Sequence, residues 1–171
     1  MLTLVIGPND SGKSLFAESL VARTTGRRVY VATMMAQTGD NHRRVEKHRR
    51  QREGLGFVTL EEPFALNGLD IQEEDVVLLE DMTNLLGKVI FVKNGTAASV
   101  LADILALAKR CRHLIVVTIG GLSPKGYQGE TADYIRAIEE LNEALTREAH
   151  VVVEMDRGKP RSRKGDWHAL T

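Results

Sequence analysis

The stretch GPNDSGKS, residues 7–14, follows the apolar run LTLVI and decides the fold of this 171-residue chain. It fits the pattern G-x-x-x-x-G-K-[ST], the P-loop, in which glycines let successive backbone N–H groups turn inward around an anion. A helix starting there adds the positive end of its dipole, whereas a plain glycine turn is the structural alternative. We expect this loop to bind a nucleotide through Gly7, Pro8, Asn9, Asp10, Ser11, Gly12, Lys13 and Ser14.

Two side chains of the loop and two acids downstream have predicted roles in catalysis. We expect Lys13 to reach the β- and γ-phosphates and the hydroxyl of Ser14 to bind Mg²⁺. A P-loop also needs an acid at the end of another strand, and VVLLED, residues 76–81, supplies Glu80 and Asp81 as catalytic and metal-binding candidates. This strand is predicted to neighbour the P-loop strand, with a carboxylate close to Ser14. An acidic pair that only forms a turn is the alternative.

Apolar strands and helical patterns alternate along the whole chain. This order is typical of an α/β fold with a mostly parallel central sheet flanked by helices, here P-loop NTPase-like. Runs such as VVLL and LIVV are continuously apolar, as expected for strands buried on both faces. The predicted strands are residues 2–6, 28–32, 57–60, 76–80, 114–118 and 151–154, and the predicted helices are residues 13–25, 42–52, 96–110 and 131–148.

Length and charge limit the classes of function. The length suits a single domain over residues 1–156, followed by a basic tail over residues 157–171 that reads as irregular. No apolar run is long enough to cross a bilayer, so a cytoplasmic protein is expected.

Net charge is zero, yet residues 42–53 carry six basic and two acidic side chains while residues 69–81 are acidic. This segregation argues against nucleic-acid binding and favours a focused anion site, although a solvated helical face is the alternative.

The basic segment places a histidine between two arginines. On a helix, Arg44, His48 and Arg52 recur every four residues and share one face. Two nearby guanidinium groups disfavour a third positive charge, so they keep the imidazole neutral and nucleophilic while attracting phosphate oxygens. Histidine can form covalent intermediates of this kind. On composition alone, a passive surface histidine remains the alternative.

Several segments, in this order and spacing, resemble the adenosylcobinamide kinase/adenosylcobinamide-phosphate guanylyltransferase family of cobalamin biosynthesis. The resemblance covers roughly residues 1–156, and its most specific part is the R-V-x-x-H-R helix after Y-V-A-T. The closing helix and valine-rich strand of residues 132–160 also resemble the family. The segments are GPNDSGKS, YVAT at residues 30–33, RRVEKHRRQR at residues 43–52, VTLEEP at residues 58–63 and VVLLEDMTNLL at residues 76–86.

The resemblance implies substrates, cofactors and site residues. In that family the matching histidine becomes guanylylated, which assigns this role to His48. Arg44 and Arg49 in the histidine helix, Glu61 in VTLEEP, and Glu80 would then contact the nucleotide. The implied cofactors are GTP, ATP and Mg²⁺, and the implied partner is the corrinoid adenosylcobinamide. A homotrimer is implied as well.

Two segments depart from the family pattern. After the strand LIVVT, where the family usually has asparagine, glutamate, valine and glycine, the chain reads IGGLSPKG at residues 119–126. The arginine-aspartate pair usual in the closing helix is replaced by Arg136 and Ala137. Two other functions therefore stay open. One is a P-loop kinase of another small alcohol in which His48 only contacts phosphate, and the other is a nucleotide-binding regulatory protein.

Overall fold

The computed structural model of the chain describes residues 1–34, 39–61 and 64–170, without the side chains of residues 39–41. Glu62 and Pro63 of the VTLEEP segment lie outside the described residues. The elements are β1 (Leu2–Gly7), α1 (Lys13–Ala22), β2 (Arg28–Ala32), α2 (Gly39–Arg52), β3 (Phe57–Glu61), β4 (Val76–Glu80), α3 (Met82–Lys93), α4 (Ala97–Arg110), β5 (His113–Ile119), α5 (Gly129–Glu148), β6 (Val151–Asp156) and β7 (Lys159–Lys164), with a 3₁₀ turn at Trp167–Ala169.

The strands form one seven-stranded sheet in the order β3-β2-β4-β5-β1-β6-β7. All neighbouring pairs are parallel except β6 and β7, which are antiparallel. The predicted mostly parallel sheet is therefore confirmed. Because parallel strands end at the same edge, the loops that follow β1, β2, β4 and β5 gather at one edge of the sheet, where open α/β sheets bind ligands.

Hydrophobic residues pack on both faces of the sheet. On β4, Val77 and Leu79 belong to the core under α3, α4 and α5, whereas Val76 and Leu78 belong to the core under α1. All four side chains are fully buried. This double burial explains why the strand has no polar alternation. None of the helices in the described ranges is both long enough and apolar enough to cross a membrane.

Two elements of the structure were not predicted from the sequence. Helix α3 (Met82–Lys93) is rich in β-branched residues and contains Gly87, which weaken its intrinsic helical signal. It is stabilised by tertiary packing, since Leu85, Leu86 and Val89 are buried in the core. An added Cβ on Gly87 would lie 2.9 Å from the hydroxyl of Tyr134 on α5, so the glycine allows the two helices to approach closely.

The expectation that residues 157–171 are irregular is wrong over β7 (Lys159–Lys164). The strand reads KPRSRK, without apolar alternation, so its sequence carries no burial signal. It is one of the two edge strands, and its charged, exposed side chains are the kind that protect a sheet edge from further pairing. Backbone pairing with β6 holds it in the sheet.

The position predicted for β4 is also wrong. β4 does not neighbour the P-loop strand β1, because β5 lies between them. The order of strands depends on which side each crossover connection takes, and the local sequence does not encode that choice. The acids at the end of β4 still reach the loop after β1, as described below.

Candidate functional site

The loop between β1 and α1 is packed tightly against the turn after β6. A Cβ added to Gly7 would lie 2.7 Å from the carbonyl oxygen of Met155, and Gly12 has a φ of +86°, in the left-handed region that favours glycine. The backbone N–H of Gly158 donates a 2.9 Å hydrogen bond to the carbonyl of Ser11. These contacts fix the course of the predicted phosphate loop.

Lys13 and Ser14 are the first two residues of α1, at the positive end of the helix. The ammonium group of Lys13 donates a 3.0 Å hydrogen bond to the carbonyl of Pro8, which folds the side chain over the loop. Burial lowers the pKa of Lys13, while Asp81 and Glu80 act in the opposite direction. Phosphate oxygens entering the loop would offer this cation a stronger partner than a neutral carbonyl.

Glu80, the last residue of β4, connects the loop to the rest of the site. One carboxylate oxygen accepts a hydrogen bond from the hydroxyl of Ser14, and the other accepts one of 3.3 Å from the hydroxyl of Tyr30. Burial raises the pKa of Glu80, and the hydrogen bond from Ser14 opposes this shift. The predicted contact between an acid of this strand and Ser14 is confirmed.

Asp81 is the N-cap of α3. Its Oδ1 accepts a 2.7 Å hydrogen bond from the backbone N–H of Asn84, and its own backbone N–H donates one of 2.8 Å to the hydroxyl of Thr33. Burial raises the pKa of Asp81, with the Asn84 hydrogen bond acting against it. One carboxylate oxygen therefore satisfies the start of a helix.

Helix α2 presents its basic face to the same place. His48 Nδ1 lies 3.9 Å from an oxygen of Glu80. Burial lowers the pKa of His48, and Arg52, Arg44 and Lys47 lower it further. The imidazole is thus neutral near pH 7. The spacing of the arginines predicted that the pKa of His48 is lowered, although burial contributes more to this lowering than the arginines do.

Two contacts of unequal strength connect α2 with neighbouring strands. Arg49 Nη2 lies 3.5 Å from an oxygen of Glu61, and both side chains are exposed. Exposed pairs contribute only about 0–1 kcal/mol. The guanidinium carbon of Arg52 lies 3.4 Å from the ring centroid of Tyr30, and this cation-π contact is buried, where it contributes about 2 kcal/mol. Within the last turn of α2, Arg52 therefore anchors the helix more firmly than Arg49 does.

Gln51 lines the same cleft and Glu18 is buried next to it, and neither residue was predicted from the sequence. Gln51 Nε2 donates a 2.8 Å hydrogen bond to Glu18 Oε2, which links α2 to α1. Burial raises the pKa of Glu18, whose side chain is 2% exposed, and the Gln51 hydrogen bond opposes the shift. A signal for Glu18 was present, because it follows Ser14 by four residues and so lies on the same face of α1.

A cleft with a volume of about 980 Å³ lies at the carboxyl edge of the sheet, and most of these side chains, though not that of Glu18, line it. Gly7 and Pro8 are not among its lining residues, although Pro8 contacts Lys13. Residues 119–126 do not line it either; they begin beside it, where the backbone N–H of Gly120 donates a 3.0 Å hydrogen bond to the carbonyl of Gly7. The predicted site residues in the lining are Asn9, Asp10, Ser11, Gly12, Lys13, Ser14, Arg44, His48, Arg49, Glu61, Glu80 and Asp81.

The cleft has the groups that a metal-bound polyphosphate requires. Lys13, Arg44 and Arg49 supply positive charge on its walls, and the start of α1 supplies backbone N–H donors. The hydroxyl of Ser14 meets the carboxylate of Glu80 at the base of the loop, and hard oxygen atoms of this kind are the ligands that Mg²⁺ prefers. The residues therefore fit a Mg²⁺-nucleotide.

Comparisons with known proteins agree with this arrangement. The family model described as "Cobinamide kinase / cobinamide phosphate guanyltransferase" matches residues 3–162. The bifunctional adenosylcobalamin biosynthesis protein CobP of Pseudomonas aeruginosa is 30% identical to this chain, with 76% of this chain and 99% of that protein covered. The match therefore extends over the P-loop, α2 and the end of β4 together.

The chain is also similar to solved structures at low sequence identity, and the first of them shares its fold. An ATPase from the type III secretion system of pathogenic bacteria has a TM-score of 0.52 and 11% identity, over 95% of this chain and 56% of that chain. The P4 protein of bacteriophage phi6, solved in complex with ADP, has a TM-score of 0.46 and 14% identity, over 96% of this chain and 55% of that one. This chain thus spans a little over half the length of either. The P-loop NTPase-like fold predicted from the sequence is confirmed.

Proposed function

The chain belongs to the cobinamide kinase/cobinamide phosphate guanyltransferase family. We propose that it phosphorylates adenosylcobinamide with ATP or GTP. We propose further that it then transfers GMP to adenosylcobinamide phosphate through His48. One observation carries the assignment of the residues. His48 Nδ1 lies 3.9 Å from Glu80, the same carboxylate that accepts a hydrogen bond from Ser14 of the P-loop. The candidate nucleophile and the phosphate loop therefore share one cleft.

In the kinase step, positioning and electrostatics supply most of the rate enhancement. Lys13 and the backbone N–H groups of the loop hold the β- and γ-phosphates. Ser14, Glu80 and Asp81 are the residues that would hold Mg²⁺, which when bound neutralises charge on those phosphates. The side-chain hydroxyl of the acceptor attacks the γ-phosphorus, and its proton passes to an oxygen of the transferred phosphoryl group as the bond to the β-phosphate oxygen breaks. Burial raises the pKa of Glu80, and bound Mg²⁺ would favour its ionised form.

In the transfer step, the neutral imidazole of His48 attacks the α-phosphorus of GTP. Nδ1 faces Glu80, so a hydrogen on Nδ1 leaves the Nε2 lone pair free to form the N–P bond. The bond between the α-phosphorus and the departing pyrophosphate breaks, and Lys13 and Arg44 stabilise the charge that develops on it. A phosphate oxygen of the acceptor then attacks the same phosphorus, the N–P bond breaks, and His48 is regenerated.

The test is covalent labelling of the protein by GTP. With GTP labelled at the α-phosphate, we expect label on the protein that survives alkali and is lost in mild acid, because an N–P bond to imidazole has this stability. The label should be absent in His48→Ala. It should persist in His42→Ala, which removes an exposed histidine of the same helix. GTP labelled at the γ-phosphate should leave the protein unlabelled.

Two outcomes separate the competing functions. If GTP binds and no α-label transfers, His48 is a phosphate contact only, and the chain is a simple kinase or a nucleotide-binding regulatory protein. If the label transfers but adenosylcobinamide phosphate does not accept it, the transfer chemistry stands and the acceptor differs. Residues 119–126, which depart from the family pattern, are then the first segment to mutate in order to find what selects the acceptor.

A further inference from the structure

Three side chains from three different elements converge behind the phosphate loop. Glu18 of α1, His48 of α2 and Glu80 of β4 each offer one ligand atom, and these atoms lie within 4.8 Å of one another. Glu18 is 2% exposed and Glu80 is 8% exposed, so two carboxylates lie close together away from bulk water. Like charges at this separation are unfavourable unless a cation lies between them.

Two of the ligand-type atoms have no hydrogen-bond partner among the described residues. Glu18 Oε1 and His48 Nδ1 are both buried and unpaired. A buried polar atom without a partner costs about 1–3 kcal/mol, so native sites usually satisfy it with a ligand, an ion or water. The unpaired oxygen and the unpaired nitrogen lie in the same small group.

The surrounding residues hold the carboxylates in place. Gln51 donates to the other oxygen of Glu18, while Ser14 and Tyr30 donate to Glu80. Hydrogen bonds of this kind, one layer outside the ligand atoms, orient the ligands in metal sites.

The charge in this group favours a cation. Arg52 acts electrostatically on both Glu18 and Glu80 and offsets one of their two negative charges. Its guanidinium is stacked over Tyr30, which keeps it beside the carboxylates. Lys13 also acts on Glu80 but not on Glu18, so Glu18 is the less compensated of the two carboxylates.

We propose that Glu18, His48 and Glu80 form a binding site for a divalent transition-metal ion such as Zn²⁺, Mn²⁺ or Co²⁺. This ion would lie beside the Mg²⁺ that accompanies the nucleotide and would share the Glu80 carboxylate with it. One imidazole nitrogen with two carboxylate oxygens suits these ions, whereas Mg²⁺ prefers oxygen ligands alone. Metal bonds of about 2.0–2.2 Å place tetrahedral ligand atoms roughly 3–3.5 Å apart. His48 Nδ1 and Glu80 are 3.9 Å apart and all three ligand atoms lie within 4.8 Å of one another, so the side chains must move inward to complete the site.

Metal binding at this site would prevent His48 from acting as the nucleophile. This effect, unlike the binding of the metal itself, rests on the proposed function. A metal ion on Nδ1 of the neutral ring leaves the hydrogen on Nε2, which then has no lone pair for attack on phosphorus. Metal binding and guanylylation of His48 therefore exclude each other. The P-loop side chain Lys13 is not a ligand, so nucleotide binding persists.

The experiment is a Co²⁺ titration of the whole, chelator-treated chain with Mg²⁺ in excess, read by visible d–d absorption and by calorimetry. We expect one Co²⁺ per chain with the spectrum of nitrogen and oxygen ligation. Glu18→Gln keeps the shape of the side chain and its contact with Gln51, and it should weaken Co²⁺ binding at least tenfold while Mg·GTP binding stays unchanged. Glu61→Gln, an exposed carboxylate of the same cleft, should bind Co²⁺ as the unaltered chain does.

The proposal is overturned if Mg²⁺ prevents Co²⁺ binding, or if Glu18→Gln binds Co²⁺ as tightly as the unaltered chain. Should Glu18→Gln fail to fold, imidazole ¹⁵N NMR of the unaltered chain with Zn²⁺ decides the question. Coordination should shift the Nδ1 resonance of His48 and leave that of the exposed His42 in place. An unshifted His48 resonance at saturating Zn²⁺ would refute the site.

Discussion

At the scale of single residues, not every buried titratable group belongs to the cleft. His113, at the start of β5, is 5% exposed, and its Nε2 lies 2.9 Å from the hydroxyl of Thr3 on β1. Burial lowers the pKa of His113 to about 4, and the N-terminal ammonium and Arg112 lower it in the same direction. His113 is neutral in the folded protein across the range in which a free histidine becomes charged.

This burial predicts a pH dependence of stability. Between pH about 6.5 and about 4 the unfolded chain binds a proton at His113 that the folded chain does not, so the free energy of unfolding falls as pH falls. The loss from this residue is about 3 kcal/mol over that window. In urea unfolding at several pH values, His113→Gln should show a flatter pH dependence than the unaltered chain. His168→Gln, at an exposed position, should retain the steep one, and equal slopes in all three chains would contradict the prediction.

At the scale of elements, α4 combines a local start signal with a face that tertiary packing buries. In α4 the hydroxyl of Thr96 accepts a 3.2 Å hydrogen bond from the backbone N–H of Ser99, and the hydroxyl of Ser99 accepts one of 3.1 Å from the backbone N–H of Thr96. The buried face follows with Val100, Ile104 and Leu107. The cap lies on the surface and does not line the cleft.

Removal of the cap should therefore affect stability without affecting function. Thr96→Ala should lower the free energy of unfolding by about 1 kcal/mol, because a backbone donor at the start of α4 loses its partner. Thr96→Ser keeps the hydroxyl and should lose less than half of that. Chemical denaturation gives both values, and calorimetry with Mg·GTP should give the same affinity for the two variants. A loss of affinity in Thr96→Ala alone would mean that α4 influences the cleft.

At the scale of the whole molecule, α2 is held differently from the central strands. Strands β4 and β5 have side chains buried on both faces, whereas α2 is connected to the sheet and α1 by polar contacts of Gln51, Arg52 and Arg49. Elements with few buried apolar contacts open locally at lower free energy than the core. We therefore expect the helix that carries the candidate nucleophile to open more easily than the central strands.

Hydrogen exchange measures this difference directly. Amides of residues 42–52 should exchange faster than those of β4 and β5 in the free protein. Mg·GTP should slow exchange in residues 42–52, because phosphates add contacts to its arginines, and Lys13→Ala should remove that protection. Protection of α2 as strong as that of β4 without nucleotide would show that polar contacts alone anchor the helix.

How much was predictable depends on whether a feature is local. In both LTLVIGPNDSGKS and VVLLED, an apolar strand is followed directly by polar residues. The phosphate loop and Glu80 could therefore be found without a structure. Helix α3 could not, since Gly87 and its β-branched residues obscure the helical pattern and only packing against α5 explains them. β7 could not either, because backbone pairing with β6 requires no particular side chains.

Spacing within single elements fixes the alternation of strands and helices, the phosphate loop and the position of His48 between arginines, so these features can be read from the amino-acid sequence. The sheet order, with β5 between β1 and β4, could be found only from the folded chain. The same holds for the contact of Glu80 with Ser14, for its 3.9 Å distance from His48 and for the position of Glu18 beside both. Distances between elements follow from sheet order and helix packing, which are set by burial over the whole chain rather than by neighbouring residues.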